Sequence, residues 1–266
     1  MNRAPRRRID MTSLAGVPIA IGVVLIAQAL DGGSAKSLWQ PTAALIVFGG
    51  TFGAVLVSFS LKEVVHTVKA ALDAFRGHAD AVDLIVKRLV GYAMASRRHG
   101  VLALEAEIDQ TSDEFLRNAL MLVSDGTTPK TTRQILDVEN QARRAAAEVP
   151  ADVLETAAGY TPTLGILGAV LGLIRVMQNL GEPSKLGIGI AVAFVATVYG
   201  VAAANLVLLP LATKLRARAR DEALHREVII EGMIALQEGL NPRLIEQQLR
   251  SYVTPARTAP AVRQAA

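Results

Sequence analysis

Acidic side chains, which ion-translocating proteins use as ligands and proton carriers, are missing from the apolar parts of this sequence. The chain has 266 residues and 24 Asp and Glu, and its longest stretches without Asp, Glu, Lys or Arg are 11–30, 37–61, 156–174 and 186–213. A proton or sodium pump normally needs a carboxylate within the membrane, because a bare cation in hydrocarbon requires a charged or multiply coordinating ligand. Either this chain moves no ions, or another subunit supplies the carboxylate.

Other reactive residue types give no site either. There is no Cys, and the four His residues lack metal-ligand spacing: His66, His78, His99 and His225. The chain contains no G-x-x-x-x-G-K-[ST], H-E-x-x-H or G-x-S-x-G motif. The pI is near 9.6, but the basic residues do not cluster as in a nucleic-acid-binding domain. We therefore predict no enzyme activity, no cofactor, no metal and no nucleic-acid partner.

Two kinds of residue inside the apolar stretches could serve a moving helix bundle. Thr197 and Tyr199 are polar and need partners within the membrane. Pro162 lies seven residues after Glu155, and Pro210 lies four before Lys214, so both prolines can kink their helices near the same membrane face. A purely structural kink is the alternative.

Small residues recur at helical spacing in the last two stretches. Gly168 and Gly172 have the small-xxx-small spacing that lets helix backbones approach closely, and Gly165 and Gly200 extend the pattern. These glycines predict close helix packing, and simple internal packing is the alternative to a functional role.

The elements that hold these residues are predicted to be membrane helices. Only 20% of the residues are charged, against about 25% in soluble proteins. At about 1.5 Å per residue, each of the four stretches can cross a hydrocarbon core of about 30 Å. We therefore predict an all-α polytopic membrane protein with four transmembrane helices and a cytoplasmic helical domain. The predicted spans are 11–30, 37–61, 156–177 and 186–213.

The distribution of Lys and Arg predicts the orientation. Of the 28 basic residues, 25 lie before the first span, between the second and third, or after the fourth, and such segments stay in the cytoplasm. The predicted cytoplasmic parts are an N-terminus 1–10, a helical domain 62–155, C-terminal helices 214–253 and a flexible tail 254–266. Within the helical domain, Asp125-Gly126 and Pro129 predict a break, and 131–149 is predicted to form another helix. A cleaved secretory signal ending at Ala27-Gln-Ala29 is the alternative for the first span.

Several separated motifs resemble one family. They are Gly159-Tyr-Thr-Pro162-Thr-Leu-Gly165-Ile-Leu-Gly168-Ala-Val-Leu-Gly172, Asn205-Leu-Val-Leu-Leu-Pro210, Arg97-Arg98-His-Gly100-Val-Leu-Ala-Leu-Glu105 and Glu231-Gly232-Met-Ile-Ala-Leu-Gln-Glu-Gly239-Leu-Asn-Pro242. In their order along the chain, 97–105, 159–172, 205–210 and 231–242, and together with the four-span layout, they resemble the flagellar motor stator A subunits of the MotA/PomA family, within the MotA/TolQ/ExbB proton channel superfamily.

The resemblance implies a torque-generating stator in the bacterial inner membrane. Five A subunits would surround two B subunits of the MotB/PomB type, whose transmembrane Asp binds the ion, and the cytoplasmic domain would contact a FliG-like rotor protein. The family position of Ala169 is typically Thr in sodium-driven members, so the sequence favours H+, with Na+ as the alternative.

The resemblance also implies residue roles. The predicted ion-pathway and coupling residues are Pro162, Ala169, Thr197, Tyr199 and Pro210. The predicted rotor contacts are Arg97, Arg98 and Glu105. The rival family is the ExbB/TolQ type of energising subunit for outer-membrane transport or integrity, which resembles these proteins around the ion path. It usually has three spans, whereas this sequence predicts four.

Overall fold

The chain folds into helices. The computed structural model describes residues 11–33, 35–75 and 81–258, and these contain no β-strand. The prediction of an all-α protein is confirmed. The helices are α1 Met11–Leu30, α2 Pro41–Ala44, α3 Gly50–Ser58, α4 Leu61–Asp73, α5 Ala81–His99, α6 Glu105–Ile108, α7 Glu114–Ser124, α8 Pro129–Gln178, α9 Pro183–Ala202, α10 Leu209–Gln237 and α11 Pro242–Thr258.

Short non-α segments connect some of these helices. The π-helical segments Leu45–Gly49 and Ala203–Leu208 join α2 to α3 and α9 to α10 without a break, and 3₁₀ turns form at Ala35–Leu38 and Val101–Leu104. Two long continuous helices therefore run through 41–58 and 183–237.

Local sequence signals explain where helices begin and end. Ser60 and Glu63 form a capping box at the start of α4, in which each side chain accepts a hydrogen bond from the other residue's backbone N–H. Gly126 and Gly239 follow α7 and α10 with φ of +71°, a conformation that glycine adopts without strain. The Asp125-Gly126 pair thus ends a helix, as expected from a turn signal.

Three helices within the described residues are long and apolar enough to cross a membrane. They contain Pro41–Ser58, Pro129–Gln178 and Leu186–Gln237, and the apolar part of α1, Ala15–Leu30, is shorter. Large apolar side chains such as Val57, Leu45 and Phe194 are exposed on these helices, as expected of surfaces that face lipid.

The chain divides into two compact units, each with its own packing. Unit 1 takes its described residues from Met1–Gly77 and Glu148–Ala217, and its buried apolar clusters are small. Unit 2 takes its described residues from His78–Ala147 and Arg218–Ala266. It has one large core, in which Phe115, Leu89 and Met233 are fully buried.

One difference from the sequence-based interpretation concerns α8. The sequence predicts a helix at 131–149 and a separate third span at 156–177, but the structure has a single helix of 50 residues that contains Pro150 and Pro162. The helix tolerates Pro150 although this residue has no backbone N–H to donate. The buried neighbours Ala151 and Val153 hold this part of the helix in place.

Candidate functional site

Glycines bring α8 and α9 into close backbone contact in unit 1. A Cβ atom added at Gly172 would lie 2.8 Å from the backbone N of Ala193 and from the carbonyl oxygen of Gly189. One added at Gly168 would lie 2.7 Å from the Cβ of Ala196. No larger residue fits at these positions without moving a helix. We call this line of small residues the glycine seam; it comprises Gly165, Gly168, Gly172, Gly189 and Gly200.

The seam continues to Pro162 and Thr197. A Cβ atom at Gly200 would lie 2.7 Å from the carbonyl oxygen of Thr161 and 3.1 Å from the Cα of Pro162. One at Gly165 would lie 3.3 Å from the Cα of Thr197. The structure therefore places Pro162 of α8 against Gly200 and Thr197 of α9 against Gly165, so both residues lie on the seam.

The hydroxyl groups of the threonines along the seam donate hydrogen bonds to backbone carbonyl oxygens of their own helices. Thr161 is fully buried and its Oγ1 donates a hydrogen bond to the carbonyl oxygen of Ala157. The Oγ1 of Thr197 donates to the carbonyl oxygen of Ala193 at 3.3 Å. Sequence analysis did not single out Thr161, although it lies beside Pro162 in the quoted motif.

Tyr199 and Ala169 have different surroundings. The Tyr199 hydroxyl donates to the carbonyl oxygen of Leu38 and accepts from the backbone N–H of Gln40 at 3.3 Å, just before α2. Its ring lies 5.8 Å from that of Phe48. Tyr199 thus connects α9 to the start of the helix 41–58. Ala169 is half-buried beside Gly168.

Pro210 lines a groove away from Pro162. The groove has a volume of about 590 Å³ and lies among α1, Phe75 and the 205–217 part of the chain. Lys214 also lines it, with its Nζ 5.8 Å from the centre of the Phe75 ring. The described contacts do not bring Pro210 to the glycine seam.

The three predicted rotor contacts are exposed on unit 2. Arg97 and Arg98 lie in the last turn of α5, and Glu105 is the first residue of α6. The two helices are connected by Gly100, whose φ is +80°, and by a 3₁₀ turn. Within this turn Leu104 is fully buried in the core of unit 2. The turn is therefore anchored by an apolar side chain while its charged ends face solvent.

Burial changes the acidity of a tyrosine beneath this turn. Tyr92 of α5 is buried, and its pKa is raised chiefly because the phenolate would lose hydration, and further by the carboxylate of Glu107 in α6. Tyr92 is thus neutral at physiological pH and packs α5 against the α6 region.

A three-residue ion cluster joins α8 and α10 in unit 1. The Nη1 and Nη2 atoms of Arg216 donate hydrogen bonds to the two carboxylate oxygens of Glu155 at 2.8 and 2.6 Å. Nη2 also donates to a carboxylate oxygen of Asp152 at 2.8 Å. This fork-to-fork geometry fixes the approach of the two helices. The cluster was not predicted from the sequence, because Arg216 lies 61 and 64 positions after Glu155 and Asp152.

A second polar contact orders unit 2. Asp113 caps α7 by accepting hydrogen bonds from the backbone N–H groups of Phe115 and Leu116 at 3.0 and 3.3 Å. Its other oxygen lies 3.5 Å from the Nε2 of His225. The hydrogen bond from His225 lowers the pKa of Asp113 below its usual value.

Comparison with known sequences identifies similar proteins over nearly the whole chain. Residues 107–228 match the model of the MotA/TolQ/ExbB proton channel family, and residues 14–96 match that of the Motility protein A N-terminal region. Motility protein A of Bacillus subtilis (strain 168) is 35% identical over 246 residues, which cover 92% of this chain and 91% of the relative. Chemotaxis protein PomA of Vibrio alginolyticus is 31% identical over 252 residues, covering 94% and 98%.

Solved structures give the same result. The chain is similar to one in the flagellar MotAB stator complex from Bacillus subtilis, with a TM-score of 0.85 and 35% identity over 92% of this chain and 96% of that one. It is also similar to a chain of C. jejuni MotAB, with a TM-score of 0.87 and 27% identity over 97% and 100%.

Proposed function

This chain belongs to the MotA/TolQ/ExbB proton channel family as an A-type stator subunit of the flagellar motor, and from this premise we propose how its residues act. Its relatives are named for motility and chemotaxis, which favours this function over that of an ExbB/TolQ-type energising subunit. The chain is a non-enzymatic component of an ion-driven, torque-generating complex.

The glycine seam is the observation that carries the mechanism. It packs two apolar helices closely, and the stretches 156–174 and 186–213 that contain it have no carboxylate of their own. The two similar solved structures are MotAB complexes. We therefore assign the ion-binding Asp to a MotB-type partner, with five copies of this chain around two partner chains and Pro162, Ala169 and Thr197 facing the ion.

Such a carboxylate can drive motion because binding an ion changes its charge. The neutral and charged forms prefer different contacts with the surrounding helices, so each ion passage shifts the balance between two packings. A transmembrane potential contributes about 2.3 kcal/mol per charge per 100 mV. Pro162 and Pro210 have no backbone N–H to donate, so each provides a place where its helix can bend during such a step.

Replacing the membrane Asp of the B-type partner by Asn tests this assignment. We expect cells that keep filaments and an assembled complex but do not swim, because no group in the A-type ring can take over ion binding. Deleting the gene for this chain should also abolish swimming while the filaments remain, but without an assembled complex. Swimming by the Asp-to-Asn cells would show that the ion-binding group lies elsewhere.

The membrane topology is proposed as four spans with both termini in the cytoplasm of a bacterium. Three span-length helices, the apolar Ala15–Leu30 and the bias of basic residues support it. Because the chain has no Cys, one introduced Cys gives an unambiguous signal. In intact spheroplasts, an impermeant thiol reagent should label Gly181→Cys but not Gln110→Cys, and the reverse pattern would invert the topology.

The coupling ion is proposed to be H+. Support comes from Ala169, which offers no hydroxyl oxygen to a sodium ion at a position beside the glycine seam. Swimming speed at fixed proton-motive force should therefore not depend on external sodium. A strong rise in speed with sodium would reassign the ion, and Ala169→Thr then becomes the variant in which a changed ion preference is measured.

A further inference from the structure

The groove beside α1 has the size and lining of a ligand site. Its volume of about 590 Å³ falls in the range of about 300–1,000 Å³ that is typical of small-molecule pockets. Val17 and Ala20 line it from α1, and Leu206 and Leu211 line it from the chain around α10. These four residues lie in the predicted spans 11–30 and 186–213, so we expect this part of the groove to hold a hydrocarbon chain.

The groove also has a charged end. Residues 205–217 extend over roughly 18 Å of helix, from Leu206 among apolar residues to Lys214, the first charged residue after the charge-free stretch 186–213. The Lys214 ammonium lies 5.8 Å from the centre of the Phe75 ring, and both residues line the groove. An ammonium has three N–H donors and can add a phosphate oxygen to its other interactions.

This combination matches the chemistry of a phospholipid better than that of a protein segment. The apolar length suits an acyl chain, and the ammonium at its end suits a phosphate. In addition, the described residues that line the groove include the ammonium of Lys214 and no acidic side chain, which favours an anionic headgroup.

We propose that this groove binds one anionic phospholipid, with its acyl chain along Val17, Ala20, Leu206 and Leu211 and its phosphate at Lys214. Assigning the lipid to the cytoplasmic leaflet rests on the proposed topology. The site itself requires neither ion flow nor torque.

The test uses the complex of this chain with its B-type partner. It is assembled in bilayers of equal amounts of phosphatidylglycerol and phosphatidylcholine and then extracted, and the lipids that remain bound are quantified by mass spectrometry. We expect phosphatidylglycerol to be enriched, and Lys214→Gln to reduce its retention about tenfold, as for the loss of a hydrogen bond between charged groups. Ala20→Trp, which fills the groove, should reduce retention without changing the size of the complex.

A matched control is Lys62→Gln, which removes the same charge at the start of α4 outside the groove. It should retain phosphatidylglycerol like the wild type. Equal retention of both lipids, or an equal loss in the Lys62 and Lys214 variants, would overturn the site in favour of general surface attraction. A complex that dissociates in Ala20→Trp while Lys214→Gln retains its lipid would show that another protein chain fills the groove.

Discussion

Gly172 shows how little space separates α8 from α9. The atoms that a Cβ would meet there are the backbone N of Ala193 and the carbonyl oxygen of Gly189, both at 2.8 Å. Backbone atoms cannot rotate away as a side chain can, so the helices themselves must separate. Gly159 in the same helix is the opposite case, because nothing lies within 4 Å of its added Cβ.

Gly172→Ala should therefore destabilise the protein by roughly 1–3 kcal/mol, the usual cost of overpacking. The measurement is the thermal unfolding midpoint of the purified complex in one detergent. Gly159→Ala is the matched control, and we expect it to leave the midpoint unchanged or raise it, since Ala is favoured over Gly in a helix by about 0.5–1 kcal/mol. Equal midpoints for both variants would contradict the close contact at the seam.

Asp113 combines a helix cap with a contact to His225, and two substitutions separate these roles. Asp113→Ala removes both and should cost about 1 kcal/mol, whereas Asp113→Asn keeps a capping oxygen and should cost less at neutral pH. Chemical denaturation followed by circular dichroism measures both. If the two variants lose the same stability, the cap is not the main contribution.

The lowered pKa of Asp113 also predicts a pH dependence. A carboxyl group with a folded-state pKa below its usual value of 3.8 contributes stability that is fully present above that value. This contribution is lost as pH falls through the lowered pKa. The wild type should therefore lose more stability than Asp113→Asn on acidification below about pH 4, when unfolding midpoints are compared at each pH.

At the scale of helices, the Arg216 cluster is an ionic link between α8 and α10 within unit 1. Its side chains are partly exposed, with 28% of Arg216 and 48% of Glu155 accessible. Solvent therefore weakens the attraction, and a single exposed pair contributes about 0–1 kcal/mol. The bidentate geometry and the second acceptor, Asp152, place this cluster at the upper end of that range.

We expect Arg216→Gln to lower the unfolding free energy by about 1 kcal/mol. Arg216→Lys should give an intermediate loss, because Lys keeps the charge but cannot contact both Glu155 oxygens in a fork. Arg220→Gln, an exposed arginine on the same helix, is the control for charge alone. A loss in the Arg220 variant as large as that in Arg216→Gln would mean that net charge, and not the cluster, sets the stability.

The sequence predicted helices best where one physical rule dominates. Charge-free stretches predicted the apolar helices, and Asp125-Gly126 predicted the end of α7. The spacing of Gly168 and Gly172 predicted that α8 packs closely against another helix. It did not predict that Gly172 would face Ala193 and that Gly168 would face Ala196, both in α9. The sequence did not predict that the helix 131–149 continues into the third span as one helix, because a proline such as Pro150 ordinarily breaks a helix.

Long-range polar contacts were beyond a sequence-based prediction. The Tyr199 hydroxyl meets Leu38 across 161 positions, and Arg216 meets Glu155 across 61. No local periodicity specifies such pairs, since they depend on which helices become neighbours. Thr197 and Pro162 were named as separate candidates, and only the fold shows that both lie on the glycine seam, against Gly165 and Gly200.

For the whole molecule, torque must leave through an exposed surface, and we propose the turn between α5 and α6. Arg97 and Glu105 are exposed there on either side of the buried Leu104. Surface charge pairs with a rotor protein are individually weak, at about 0–1 kcal/mol. The loss of one pair should therefore be tolerated better than the loss of two.

Arg97→Glu or Glu105→Arg alone should leave partial swimming, while the double reversal should abolish it unless the rotor carries compensating charges. Lys87→Glu, an exposed charge change in the same helix, is the control and should swim nearly normally. Swimming speeds in soft agar and of tracked cells give the measurement. Full swimming by the double reversal would refute the proposed rotor contact.

The π-helical segment Ala203–Leu208 accommodates one extra residue ahead of Pro210. Each residue turns an α-helix by about 100°, and a π-helical turn contains one residue more than an α-helical turn. A single deletion within the segment would therefore restore a regular α-helix and leave Lys214 at Phe75 and Arg216 at Glu155, whereas a single deletion in the regular helix just after it would turn both side chains by about 100°. Relatives that are one residue shorter at this segment should therefore have a regular α-helix here and pack the same face of α10 against α8.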